Sequence, residues 1–272
     1  MIEAILAFVA GLLVGSFLNV CIYRMPRDLS VVTPRSFCPA CRHTVAWYDN
    51  IPVLSYALLR GHCRHCGQPI SIRYPAVELI TALIFFGVVQ WQGLSLESAK
   101  LCVFAVLLVG LVFADLEERI LPDEFTLGGA ALGVVLAALV PFDVGIFGLL
   151  MPMRWNRAVV SVVEAVLSGA MAAGLLWVTG WLYRVIRKRE GIGLGDIKMV
   201  AMIGAFLGLQ GALITIVLAS MLGSVVGLIY IYATRKEAST YELPFGSFLG
   251  VAALGFALLR GQFFIWLERL YQ

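Results

Sequence analysis

Four of the six cysteines stand as two C-x2-C pairs, Cys38 with Cys41 in CPAC and Cys63 with Cys66 in CRHC, with 21 residues between the pairs. Paired turns of this kind deliver four thiolates to one tetrahedral ion, for which zinc is the expected occupant. Four protein ligands leave no position open for water, so the metal is expected to be structural, folding an insertion too small to build its own core. Redox-active or metal-free pairs are the competing reading. His43, His62 and His65 are spare donors read as solvated, and Cys21 and Cys102 lie in apolar runs as buried small hydrophobes.

A second chemistry is carried by two acids. Asp115 directly follows LCVFAVLLVGLVFA, and Asp196 directly precedes IKMVAMIGAFLG within GIGLGDIKM. Ionisable groups at the edge of an apolar span are costly and point to function. Two carboxylates sharing one site do not both ionise easily: one keeps a proton while the other takes one from water, which can then attack a peptide carbonyl. The protons belong to the pair, so neither residue is assigned as the fixed acid. Gly191, Gly193 and Gly195 are expected to let the chain turn and let another segment approach closely, with Lys198 biasing the local field or serving as one more topology charge. Asp196 also fits a plain N-cap, Asp123 a helix-start acid, and Glu117, Glu118, Arg119 and Glu124 a solvated turn.

Long apolar helices must position these groups. The 272 residues are 61% hydrophobic and 14% charged, against roughly 25% charged in an ordinary soluble domain, so the chain reads as an all-α, multi-pass membrane protein. About eight spans are expected, near residues 2–23, 75–89, 101–114, 125–140, 158–185, 193–209, 213–232 and 245–267. Residues 1–23 read as a retained first span, because Glu3 stands where a secretory signal would carry basic residues. Residues 24–74 form the polar insertion with the cysteines, and 75–272 the bundle carrying the acids. Seven arginines against Asp28 and Asp49 place that insertion in the cytoplasm, with RKRE (187–190) and RKEASTYE (235–242) also inside. Arg154 and Arg157, which then lie outside, fit this scheme poorly. A formal charge of +3, spread beside the spans, excludes nucleic-acid binding as the main function. GSFL occurs at 15–18 and again at 246–249 without flanking repetition, and reads as small residues at helix contacts.

Several motifs together, GSFLNVCIYRMP, FCPAC, WYDNIPVLSYALLRGHCRHC, ISIRYPAVELITAL, DLEERILPDEFTL, GLGDIKM and PFGSFLG, make the sequence closely resemble the type IV prepilin peptidases, the GxGD aspartic leader peptidases of the bacterial inner membrane. The match covers nearly the whole chain. The resemblance implies that Asp115 and Asp196 form a catalytic dyad supported by Gly193, Gly195 and Lys198. It implies removal of the leader peptide from type IV prepilins and type II secretion pseudopilins on the cytoplasmic side, then N-methylation of the new first residue from S-adenosylmethionine. It ties the insertion with Cys38, Cys41, Cys63 and Cys66 to the methyltransferase. Nothing resembling a Rossmann fingerprint marks the donor site, and Glu78 is a candidate for either activity or a helix-start charge. Ser247 stands where many family members have proline. The partners implied are pilin-like substrates and membrane lipid. The alternatives are a peptidase without methylation, against which the four cysteines count, and a non-enzymatic assembly or transport component, for which the inverted repeats of a transporter are missing.

Overall fold

The fold is taken from a computed structural model that describes residues 1–142, 145–151, 155–189, 191–234 and 244–270. Among the described residues the α-helices follow in the order α1 (Ile2–Arg24), α2 (Leu54–Leu58), α3 (Arg73–Gln92), α4 (Leu96–Glu118), α5 (Asp123–Leu139), α6 (Arg157–Arg187), α7 (Leu194–Thr234) and α8 (Phe245–Leu270). Among the described residues there is no strand, only the isolated bridges Phe37–Thr44 and His62–Pro69. The all-helical expectation holds. Among the described residues, five helices are long and apolar enough to cross a membrane: α1, α3, α4, α6 and α7. Large apolar side chains such as Leu6, Leu13, Leu83, Leu175 and Leu228 are exposed along them, as suits lipid and would penalise a soluble protein.

The chain divides into two compact units, Met1–Gly110 and Leu111–Gln272. In the first, α1 packs on α3. The contact is made possible by Gly11 and Gly15: a Cβ on either would fall 2.6–2.7 Å from the backbone Cα of Ala82 or Glu78. This spacing of small residues is the device by which two helices approach without an aqueous hydrophobic drive. Between them, residues 25–72 form the insertion, held by Arg24, whose guanidinium donates to the carbonyls of Ser30 at 2.8 Å and Pro34 at 2.7 Å.

In the second unit α7 packs against α5, α6 and α8. The two spans expected at 193–209 and 213–232 are both present as the two helical limbs of α7, and the backbone leaves helical geometry between them at Gly208, a little before the expected 210–212. Gly208 has φ 75° and ψ 176°, a region open in practice to glycine alone. The first limb, residues 194–207, is roughly 20 Å long at about 1.5 Å per residue. Glu164 of α6 lies beside the bend and is 1% exposed. Its carboxylate accepts from the amides of Phe147 (2.8 Å) and Gly148 (3.0 Å) and the hydroxyl of Ser168 (3.1 Å), so its burial is compensated. The stretches 235–242 and Glu190, and with them Arg154, lie outside the described residues.

Replacing Gly208 by Ala is expected to destabilise the bundle by about 1–3 kcal/mol. Thermal unfolding of the detergent-solubilised protein checks this; an unchanged midpoint would mean that the bend relaxes without cost.

Candidate active site and metal centre

The insertion builds its cysteine centre from two similar turns. The Cys38 amide donates to the His43 carbonyl at 2.9 Å and that of Arg42 to the Cys38 carbonyl at 2.8 Å; Cys63 with Gln68 and Gly67 with Cys63 repeat the pattern at 2.8 and 2.9 Å. In each turn the residue after the second cysteine has positive φ, Arg42 at 57° and Gly67 at 68°. The four sulfurs of Cys38, Cys41, Cys63 and Cys66 lie within 4.8 Å of one another, with Cys38 and Cys66 at 3.9 Å. A tetrahedral ion with ligands at about 2.3 Å needs sulfurs roughly 3.8 Å apart, so the set fits a metal.

Among the thiols themselves, the amides of Cys66 and His65 draw Cys63 down to about 7. Cys66 is pushed up to about 11 despite the Gln68 amide, because burial and the neighbouring thiols disfavour a second charge. His43 and His65 stack with centroids 3.6 Å apart and stay outside the ligand set. Arg64 forks onto Asp49 at 2.6 and 2.7 Å, holding that carboxyl below its ordinary range.

Both acids lie in the second unit. Asp115, in the last turn of α4, is 6% exposed. Its Oδ2 accepts the Ser247 amide at 2.7 Å and the Ser247 hydroxyl at 2.8 Å. Hydrogen bonds to a charged group contribute about 1.5–3 kcal/mol each, so the first turn of α8 is what keeps this carboxylate in an apolar bundle. Asp196 is the third residue of α7, not its N-cap. Its carboxyl reaches back to the Gly193 amide, the half of a capping box supplied by the acid at that position. The Asp115 charge acts on Asp196 across the site.

Leu121 joins the two sides. Its side chain packs where a Cβ on Gly195 would be 3.1 Å away and one on Gly246 2.9 Å away; the same Gly246 atom would lie 3.2 Å from Asp115 Oδ2. None of Gly191, Gly193 and Gly195 uses a positive φ. They supply space: Gly195 for Leu121 and Gly191 for the Tyr183 ring.

Lys198 pairs with Asp123, Nζ to the two carboxylate oxygens at 2.7 and 2.9 Å. The pair is exposed and worth under about 1 kcal/mol, so its effect is to set the register of α5 on α7. Asp123 opens α5 as expected. Glu78, in the first unit, is buried against α1 and accepts the Val53 amide at 2.7 Å. Sequence reasoning missed Ser247 and Leu121; the departure from proline at 247 was the available signal for the first.

These features define a helical membrane protein with a two-carboxylate site in one unit and a tetrathiolate cluster in the other. The pattern of the bacterial peptidase A24 N-terminal domain matches residues 9–92, and that of the type IV leader peptidase family matches residues 102–228. The chain belongs to the type IV leader peptidase family. It is 42% identical over 239 residues to the prepilin leader peptidase/N-methyltransferase of Myxococcus xanthus, covering 88% of this chain and 66% of that one. The proteins of the same name from Pseudomonas putida and Aeromonas hydrophila are 36% and 35% identical over 270 and 282 residues, covering 91% and 94% of this chain and 87% and 90% of theirs. No solved structure matches the chain.

The cysteine geometry predicts one tightly bound divalent ion per chain, lost when Cys38 or Cys63 is replaced by Ser. Elemental analysis of the purified protein checks it; wild-type metal content in either variant would rule out the four-sulfur site.

Proposed function

We propose that the chain is a prepilin leader peptidase and N-methyltransferase. It cuts the leader from type IV prepilins and type II secretion pseudopilins, then methylates the new N-terminal residue with S-adenosylmethionine as donor. The observation that carries the peptidase reading is that Leu121 packs against both Gly195, next to Asp196, and Gly246, beside the Asp115 carboxylate.

Asp115 and Asp196 are the catalytic dyad in this reading. One carboxylate takes a proton from water, whose oxygen bonds to the scissile carbonyl carbon; the other gives its proton to the carbonyl oxygen. The C–N bond then breaks: the proton gained from water passes to the departing nitrogen, and one hydroxyl on the tetrahedral carbon returns its proton to the other carboxylate, leaving a carboxylic acid and a free amine. Ser247 holds Asp115 by two hydrogen bonds, Gly193 anchors Asp196, and Gly195 and Lys198 fix the start of α7 on its neighbours.

The cysteine cluster takes zinc in this reading. Four thiolates are the donor set a structural zinc prefers, and the ion supplies the insertion with a rigid centre. Residues 24–74 serve methylation and residues 75–272 carry the peptidase. The protein resides in the bacterial inner membrane, with the insertion and both acids facing the cytoplasm, a placement supported by the seven arginines of the insertion. A processed pilin helix then lies among the spans, with its cleavage point at the depth of the acids.

Asp115→Asn and Asp196→Asn, made separately and expressed with a prepilin, are expected to leave the leader uncut at normal enzyme levels. Full cleavage by either variant would refute the dyad. Ser247→Ala, which keeps the amide but loses the hydroxyl, is expected to slow cleavage about tenfold, in line with one charge-assisted hydrogen bond. Cys38→Ser is expected to impair methylation, read as the N-terminal mass of the product, while cleavage continues.

A further inference from the structure

The two GSFL copies are used alike. Ser247 meets Asp115 in the second unit, and in the first the Ser16 hydroxyl meets Glu78. Glu78 takes no part in peptide cleavage as derived above, yet it is 8% exposed and surrounded by features that mark a built site.

Asn19 lies one turn beyond Ser16 on α1 and is 2% exposed. Its orientation is fixed, because Nδ2 donates to the carbonyls of Gly15 at 3.3 Å and Tyr74 at 3.0 Å. That leaves Oδ1 buried with no donor, an exception that calls for a cause. On the other side, Glu78 Oε2 accepts the amide of Val53 at 2.7 Å. Val53 is the centre of a γ-turn, φ 60° and ψ −45°, closed by the Leu54 amide on the Pro52 carbonyl at 2.6 Å. A β-branched residue held there stores about 1–3 kcal/mol of strain, of the kind found at functional sites. Of the arginines at the adjacent helix ends, Arg24 donates to the Ser30 and Pro34 carbonyls, and Arg73 lies over the Tyr74 ring at 4.5 Å with its Nε buried and without a hydrogen-bond acceptor.

We propose that Glu78, Ser16 and Asn19 form a subsite for a primary ammonium, the α-amine newly freed on the processed substrate; this rests on the bifunctional reading above. A carboxylate and an amide oxygen only accept hydrogen bonds, whereas an ammonium donates three and accepts none. Charge and donor count therefore match an amine and reject an anion or a carbonyl. Glu78 is also the proton acceptor. The ammonium gives it one proton, the nitrogen lone pair forms the bond to the methyl carbon of a sulfonium donor, and the C–S bond breaks with its electron pair kept by sulfur as a thioether.

The test uses the full-length protein in detergent without methyl donor. Its probes are a fluorescent peptide with the sequence of a processed pilin N-terminus, amine free, and the same peptide N-acetylated. Wild type is expected to bind the free amine about tenfold more tightly, the size of one hydrogen-bonded charge contact. In Glu78→Gln, which keeps an acceptor for the Val53 amide but no charge, that preference disappears while metal content and leader cleavage stay at wild-type levels. An equal acetylation penalty in both proteins overturns the subsite. So does loss of metal or cleavage together with amine preference, since Glu78 then acts only through the fold of the insertion. Where Glu78→Gln lowers protein yield, Asn19→Ala supplies the same comparison. Mass analysis of the wild-type product keeps the two proposals apart: an unmethylated product with intact amine preference refutes the methyltransferase and leaves the subsite standing.

Discussion

A carboxylate withdrawn from water has to be met by donors, and in the second unit that requirement falls on Asp115 and the first turn of α8. Ser247 supplies both an amide and a hydroxyl to one oxygen. Without them the cost of an ionised group in an apolar bundle would exceed anything the surrounding side chains return. Because the donors sit on α8 and the acid on α4, satisfying the acid also fixes one helix on the other. Leu121, wedged between Gly195 and Gly246, carries the same constraint to the start of α7 and so to Asp196.

The same rule recurs at each buried acid. Glu164 is met by two amides and a hydroxyl beside the bend in α7, and Glu78 by an amide and a hydroxyl against α1. In lipid, where water cannot substitute for a missing partner, these clusters specify which helix faces which. The apolar side chains alone do so poorly, since lipid solvates them as well as a neighbouring helix does. The polar insertion follows a different logic: two matched turns and four sulfurs give it a centre that its size could not supply by packing.

Much of this was legible before any coordinates. The cysteine spacing implies convergence of the four sulfurs, because each C-x2-C turn presents two sulfurs on one side and two such turns can close on one ion. The apolar runs imply the helices for an equally local reason: about 20 residues without charge have few other solutions. Asp115 and Asp196 stood out because ionisable groups beside such runs are expensive. What was not legible was the identity of their neighbours. Lys198 had no evident role until Asp123, 75 residues away, was seen to hold it. The glycines of GIGLGDIKM suggested a flexible turn, whereas they adopt ordinary φ and serve to make room.

The sequence by itself determined the class of fold, the family, the tetracysteine set and the two acids worth attention, because composition, spacing and motif are properties of the chain read in order. Only the tertiary structure decided that Ser247 is the partner of Asp115, that the helical limbs of α7 meet at Gly208, and that Asn19 keeps an unmet oxygen in the first unit. These depend on which helix faces approach one another. In an apolar bundle that choice is made by small residues and buried hydrogen bonds between segments far apart in the chain, and no local pattern records it.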